Sequence, residues 1–374
     1  MHKLFSILPR KSPLSIGVIP GEGIGPEIIQ ASLGLLKVIE NHYPLRFDLR
    51  WGGKIGKQAL SESGQALSPE IIEFCDARFQ NGEPIFCGPG GERFVYDLRR
   101  RFDLYCKLAP IQPLPALSGT GPLKPAATAD VDLIIVRENT GGLYQGQYGL
   151  EIKNQTRQAY HRFDYAESQV ARILETAAHL AGMRSGRLCV VTKPGGAPSI
   201  SSLWEDIAVS ICARHGLELR LLEIDNACYQ IIADAGGFDM IAAPNMFGDV
   251  LADTAALLLG SRGMSHSANY SAAGCAVYQT GHGAAYDLSG KNIANPIGQM
   301  LSLAMLLKES FGLNDIAQQL RLAINDAVQA GWRSRDIAIP GCRLLGTQEL
   351  AEKIAAGLDE RLAACRQQAE PGYA

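Results

Sequence analysis

An α/β protein built on a largely parallel sheet is the architecture this sequence predicts, and three features carry that reading. Short β-branched and aliphatic runs alternate with longer segments of helical periodicity along the chain. The first such run, "SIGVIPG", ends in glycine and leads directly into an amphipathic helical pattern. Glycine and proline fall at the joins.

The elements follow in order. "SIGVIPG" (15–21) reads as a strand ending in glycine, and "GPEIIQASLGLLKVIENHY" as the amphipathic helix after it. Pro26 suits the first helical turn, where its missing N–H loses no bond, and Glu27 suits the positive end of the helix. Later strands are expected at "EPIFCGP", "VDLIIVREN", "GRLCVVTK", "LELRLLEID" and "FDMIAAPN". Helices are expected at 167–182, 200–215, 226–235, 250–260, 295–311, 314–330 and 347–367. "CGPGG" and "PIQPLPALSGTGPLKP" interrupt the pattern, and no repeat or low-complexity segment is present. The opening "MHKLFSILPRKSP" has too short an apolar stretch for a secretory signal and reads as an extension before the first strand. The closing "QQAEPGYA" reads as a frayed tail.

With 374 residues the chain has room for two domains. A net charge of −3 offers no basic footprint for nucleic acid or an anionic membrane, and no apolar run reaches the length of a membrane span. The nine cysteines are odd in number, scattered and without C-x-x-C spacing. That argues against a disulfide framework or zinc site and for a reducing, cytoplasmic compartment.

"NMFGDVLADTAALLLGS" (245–261) carries the most chemistry. Asp249 and Asp253 lie four residues apart, so they share one helix face. Two ionised carboxylates that close repel unless a cation sits between them, and oxygen ligands suit Mg²⁺ or Mn²⁺. Read alone, the spacing fits a capping Asp249 and a solvated Asp253 better than a metal site.

The block does not stand alone. It resembles the N-x-F-G-D-[IV]-L-x-D block of the β-decarboxylating dehydrogenases, the family of isocitrate, isopropylmalate, homoisocitrate and tartrate dehydrogenases. Similar blocks follow the family order: "IPGEGIGPE" (19–27), "LRRRFDLY" (98–105), "VRENTGGLYQG" (136–146), Lys193 in "VVTKPGG", "IDNACYQ" (224–230) and "GHGAAYDLSGKNIANP" (281–296). They cover most of residues 16–311.

The resemblance implies a two-domain isocitrate/isopropylmalate dehydrogenase-like α/β fold, not the Rossmann fold. Residues 1–105 and 260–374 would form the large cofactor-binding domain, and 106–259 the small domain with the dimer interface. It implies NAD- and Mg²⁺- or Mn²⁺-dependent oxidative decarboxylation of a 3-substituted malate, an (R)-2-hydroxy acid, to a 2-oxo acid. By the same resemblance Asp249 and Asp253 bind the metal, joined by Asp225 from the other subunit of a homodimer. Lys193 matches the general base, its pKa lowered by the metal and neighbouring cations. Tyr144 matches the acid that protonates C3. Arg99 and Arg137 match the arginines that clamp substrate carboxylates. Taken singly, Lys193 reads as an exposed strand-end cation, Tyr144 as a half-buried aromatic and Asp225 as a strand-end turn residue.

On the cofactor side, Gly283, Ala284 and Ala285 are small enough for close backbone approach, and His282 and Asn295 match adenine contacts. Asp287 would accept ribose hydroxyls and repel a 2′-phosphate, so Asp287-Leu288 favours NAD⁺ over NADP⁺. Ile24 and Glu92 match residues on the nicotinamide side. "GEGIG" is not G-x-G-x-x-G, so that fingerprint carries nothing here.

Four positions depart from the family pattern. Ala109 stands where a further substrate arginine is usual, so a contact is lost unless Lys107 replaces it. Gly195 replaces an asparagine that contacts the nicotinamide amide, Glu22 stands for aspartate, and Gln279 for glutamate. In the specificity segment Val95 and Tyr96 would face the C3 substituent, with Arg93 nearby, and the pattern leaves apolar and anionic substituents both open. Two other readings remain: a non-catalytic regulatory or ligand-binding subunit of the same fold, and a tartrate-like dehydrogenase that does not decarboxylate. Plain isocitrate is expected not to be the preferred substrate, and its ranking below other 3-substituted malates in a turnover assay checks this.

Overall fold

The computed structural model describes residues 13–369. The N-terminal extension up to residue 12 and the tail at 370–374 lie outside the described residues. The strands are β1 (Leu14–Ile19), β2 (Phe47–Trp51), β3 (Ile85–Cys87), β4 (Cys106–Ile111), β5 (Leu133–Glu138), β6 (Gln147–Lys153), β7 (Thr156–Arg162), β8 (Arg187–Thr192), β9 (Glu218–Glu223), β10 (Met240–Ala243), β11 (His266–Tyr270), β12 (Ala276–Thr280), β13 (Trp332–Arg333) and β14 (Arg343–Leu344). The helices are α1 (Gly25–His42), α2 (Gly56–Ser63), α3 (Pro69–Gln80), α4 (Phe94–Arg101), α5 (Pro125–Thr128), α6 (Glu167–Gly182), α7 (Pro198–His215), α8 (Ile224–Ala233), α9 (Asn245–Ala255), α10 (Ile297–Glu309), α11 (Asn314–Gln329) and α12 (Thr347–Ala369).

One ten-stranded sheet organises the chain, in the order β2-β1-β3-β12-β11-β4-β5-β10-β8-β9. Its pairings are parallel except at the middle, where β12–β11, β11–β4 and β4–β5 run antiparallel. The largely parallel α/β reading therefore holds. Strands β5, β8 and β10 are aliphatic and almost wholly buried, because α6 and α7 cover this half of the sheet. Helix α10 packs on β3, β12 and β11, with α1 against it and α11 and α12 layered beyond.

The differences from the sequence reading have physical causes. Helix α9 starts at Asn245, directly after Pro244, rather than at 250. Helix α12 continues to Ala369, into the segment read as a frayed tail. Strand β11 reads "HSANY", too polar to look like a core strand, yet all five residues are buried. Its polar groups find partners inside the sheet: Ser267 donates to the Gln279 carbonyl at 3.1 Å, and Asn269 donates to the Val277 carbonyl at 3.3 Å. Strand β4 hides its period behind Lys107 and Pro110, and β2 is a partly exposed edge strand. Helix α3 had its signal in Ser68-Pro69, where the Ser68 side chain caps the Ile71 N–H at 3.4 Å.

Strands β6 and β7 form a hairpin outside the main sheet. Asn154 and Gln155 both take positive φ, 49° and 63°, as a tight two-residue turn requires. Leu150 and Ile152 on it are 74% and 76% exposed. An isolated two-stranded ribbon is marginal in water, and exposed aliphatics of this kind mark a contact surface.

Phe86, fully buried on β3 between β1 and β12, tests the core. Phe86→Ala is expected to cost about 3–5 kcal/mol in urea unfolding; a loss below about 1 kcal/mol would contradict this packing.

Candidate functional site

The site forms where β5 ends and α9 begins. Arg137 lies near the end of β5, only 2% exposed. Its Nε and Nη2 donate to Asn245 Oδ1 at 3.1 and 2.8 Å, and Nη1 donates to Asp249 one turn further along α9. Asn245 is itself fixed: its Nδ2 donates to the Gly141 carbonyl at 2.8 Å, and its backbone N–H to the Tyr165 hydroxyl at 2.9 Å. The first residue of the helix thus orients the arginine that pairs with the fifth.

Three cations converge here. Arg99 on α4 is buried, and its Nε has no hydrogen-bond partner. Burial, then Arg137, pushes its guanidinium down to about 9. Lys107 on β4 is 5% exposed, and burial followed by Arg99 and Arg137 pushes its ammonium down to about 7. Asp249 is the nearest counter-charge. Burial raises its carboxyl pKa, but Arg137, Lys107 and Arg99 outweigh that and hold it below the usual aspartate range. Tyr144 donates its hydroxyl to Asp249. Burial and the Asp249 charge push that phenol up to about 12, so it stays protonated.

Two aromatic rings complete the cleft. Tyr96 and Tyr144 stand 5.3 Å apart between centroids, and Arg99 lies 5.9 Å from the Tyr96 ring. Arg93 is occupied: it donates to the Tyr144 carbonyl at 3.3 Å, pairs with Asp97 at 3.5 Å and stacks 5.4 Å from Tyr96. Gln145, which the sequence reading did not single out, donates to the Tyr96 carbonyl at 3.0 Å and ties the same two segments. Val95 packs against the apolar cluster beneath α4, so Tyr96 is the one of the pair that meets the other cleft residues.

The acidic groups are divided. Asp253 pairs with Arg262 at 2.8 Å, and Asp225 with Lys193 at 2.9 Å. Among the described residues no cluster of three or more acidic, histidine or cysteine side chains stands ready for a metal within one chain. The expectation that Asp225 comes from a second subunit requires such a division. Lys193 is held by two acidic neighbours. Asp225 and Glu223 both accept from it, at 2.9 and 2.6 Å, and hold its pKa above the ordinary lysine value. In the single chain the lysine is at the surface with two carboxylates.

A cavity of about 720 Å³ lies beside the first loop and the 281–296 block. Ile24, His282, Gly283, Ala285, Leu288 and Asn295 line it. The Gly283 position is open, and Gly23 lets the chain approach: a Cβ there would meet the Ala284 carbonyl at 1.9 Å. Ala284 is buried behind the wall, and its carbonyl accepts the Ile24 N–H at 2.9 Å. His282 Nε2 is buried without a partner among the described residues, so a cavity ligand would complete it, while burial lowers the pKa of the ring and keeps it neutral. Asn295 spends its amide on Asp336 at 3.0 Å and on the Ile297 N–H at 3.0 Å. Asp287 is exposed between the lining residues Ala285 and Leu288. Glu92 is exposed, at φ 54°, and borders a different depression with Arg93 and Asp97. Arg262 and Arg335, also in the cavity wall, carried no signal in the sequence reading. Buried Glu22 accepts from the Gln58 and Gly91 N–H groups and the Tyr286 hydroxyl, at 3.0, 2.9 and 3.0 Å, and so braces the cavity loops.

The sequence profile described as isocitrate/isopropylmalate dehydrogenase matches residues 15–354. The chain belongs to the isocitrate/isopropylmalate dehydrogenase family. It is 35% identical to a 3-isopropylmalate dehydrogenase of Bacillus licheniformis over 92% of this chain and 95% of that protein. It is 34% identical to one of Pseudomonas fluorescens, over 91% and 98%. The crystal structure of isocitrate dehydrogenase from Methylococcus capsulatus superposes with a TM-score of 0.81 at 27% identity, covering 92% of this chain and 99% of that one. The family fold thus spans the sheet and both sites described above.

In this family member Asp249 answers three buried cations with a side chain that is 35% exposed. Asp249→Asn is expected to cost about 2 kcal/mol, short of the 3–5 kcal/mol of a fully buried pair. Because its native pKa is depressed, the deficit is present above about pH 4, the ordinary aspartate value, and closes as pH falls through the native value. Melting curves of both proteins against pH check the sign.

Proposed function

We propose that this chain is an NAD- and divalent-metal-dependent dehydrogenase that oxidatively decarboxylates a 3-substituted malate. The observation carrying this reading is the set of buried cations, Arg99, Lys107 and Arg137, beside two aspartates one turn apart on α9. Such a set attracts a polyanion at one edge and a dication at the other. When bound, the dinucleotide supplies a hydride acceptor and the metal polarises the substrate hydroxyl.

The chain's own residues have separate tasks. Arg99 and Arg137 orient substrate carboxylates, and Asn245 holds Arg137 in place. Asp249 and Asp253, with Asp225 of a second subunit, hold Mg²⁺ or Mn²⁺. Lys193, also from that subunit, takes the hydroxyl proton once its own carboxylate partners are redirected. Tyr144, protonated and hydrogen-bonded to Asp249, returns a proton to C3. Tyr96 faces the C3 substituent, which favours an apolar or aromatic group because Arg93 is already engaged. His282, Gly283, Ala285, Leu288 and Asn295 bind the adenosine half, Ile24 the nicotinamide side, and Asp287 at the rim favours NAD⁺. The large domain comprises 1–105 and 260–374, and the small domain 106–259. The exposed β6–β7 hairpin supports a homodimer with shared sites. No helix among the described residues is long and apolar enough to cross a membrane, and the reading places the enzyme in the cytoplasm.

NADH formation with Mn²⁺ across isocitrate, homoisocitrate, isopropylmalate, benzylmalate, tartrate and malate tests the reading. Turnover of a 3-alkyl or 3-aryl malate with one CO₂ per NADH is expected; no turnover of any of them refutes it. Mixed dimers of Lys193→Ala and Asp249→Ala chains are expected to regain part of the activity that each variant lacks. No recovery would count against sharing.

A further inference from the structure

Lys107 holds a position that the fold alone does not explain. It lies on β4 directly opposite Arg137 on β5, and like charges in such a pair repel. Its other cross-strand neighbour, Asn269 on β11, is uncharged and engaged with Asn139 at 2.9 Å. The side chain is 5% exposed and makes no hydrogen bond or ion pair among the described residues. The charged groups facing it are Arg99 from α4, Arg137 from β5, and Asp249 and Asp253 from α9. Neither carboxylate is free: Asp249 is taken by Arg137 and Tyr144, and Asp253 by Arg262. A lysine so enclosed and with no bonded partner is costly to keep charged, and methionine or leucine would fill the same space without that penalty.

The strand geometry gives the reason. Side chains alternate across a strand, so Lys107 and Ala109 project to the same face of β4. Ala109 contributes a methyl group only, and the long lysine side chain two residues earlier can place its ammonium over that position.

We infer that Lys107 is a third carboxylate-binding residue of the hydroxyacid site, gripping a substrate carboxylate jointly with Arg137 where Ala109 leaves room. This rests on the hydroxyacid reading above and deepens it: the preferred substrate presents at least two carboxylates to the cleft. An incoming carboxylate gives the buried ammonium its missing partner and separates it electrostatically from Arg137. Lysine is a point charge that accepts several approach angles, so the moved cation tolerates a wider range of C3 substituents than a two-pronged arginine fork.

The test compares the full-length wild type with K107M, K107R and K107M/A109R. Malonate binding is measured by calorimetry, and steady-state kinetics use the best 3-substituted malate. Loss of one charge-assisted contact is expected to raise KM and the malonate Kd about 10- to 100-fold in K107M, with kcat changed by less than about threefold if the contact is made equally in ground and transition states. NADH affinity should be unchanged. K107R should stay near wild type, and the arginine of K107M/A109R should recover most of the loss. If K107M does not fold, K107Q, neutral but polar, takes its place. Unchanged KM and malonate affinity in the neutral variant overturns the inference, as does failure of both cationic variants to restore binding. If none of the acids is turned over but malonate binding still depends on Lys107, the functional reading fails and the carboxylate site stands.

Discussion

The pairing of Arg137 with Asp249 is the constraint on which the rest of the site depends. Three cations leave water at the junction of α4, β4 and β5, and among the described residues Asp249 is the carboxylate bonded to one of them. Removing charge from water is costly unless geometry and hydrogen bonding compensate. Here the compensation is layered: Asn245 accepts two N–H groups of Arg137, Gly141 and Tyr165 hold Asn245, and Tyr144 adds a hydrogen bond to Asp249. The start of α9 is therefore fixed by the same contacts that aim the arginine. An excess of buried positive charge remains after this pairing. A fold selected for stability alone would not keep it; a fold that must bind a polyanion gains preorganisation from it.

Much of this was legible in the sequence, for reasons that differ by residue. The aliphatic strands β5, β8 and β10 and helices such as α6 and α11 follow from hydrophobic pattern, because burial on both faces or on one stripe leaves that trace. Strand β11 left no trace, since its buried serine and asparagine are satisfied by partners that only the folded sheet supplies. The block beginning at Asn245 announced two aspartates on one face, and both lie on α9. It could not announce that Asp249 is taken by Arg137 and Asp253 by Arg262, because those partners come from distant segments. Val95 and Tyr96 are adjacent on α4, about 100° apart around the helix, and the one-residue choice between core and cleft needed the packing of α4. Lys193 shows the same limit: its two acid partners, Glu223 and Asp225, arrive from β9 and α8, and in the single chain they hold its pKa above the ordinary lysine value.

The departures from the family pattern form a consistent group when read through their contacts. Glu22 is one methylene longer than the usual aspartate, and it reaches two backbone N–H groups and the Tyr286 hydroxyl, joining the first loop to the 88–92 and 284–288 segments. Gln279 is neutral where glutamate is usual, and it accepts from Asn269 at 3.3 Å, whose own oxygen accepts from Asn139. A chain of amides alternates donors and acceptors without a charge, so a carboxylate there would add an unpaired ion to the core. Gly195 lies in a loop where an added Cβ would meet nothing within 4 Å, so its change relieves no crowding.

These replacements divide by physical consequence. Glu22 and Gln279 keep or add hydrogen bonds, and so preserve the frame on which the two sites are built. Ala109 and Gly195 carry short side chains or none, and so leave the frame alone. The aspartates of α9, Tyr144, Arg99 and Arg137 are kept, Arg137 and Asp249 with their supporting contacts. A subunit drifting toward a purely structural role would be expected to shed the costly buried cations first, since their loss relieves repulsion and stabilises the core. This chain keeps Arg99 and Arg137 and buries Lys107 beside them. These basic side chains are retained against the cost of burying them, and that is the strongest physical reason to read the changes as a shift in what the site binds rather than as its decay.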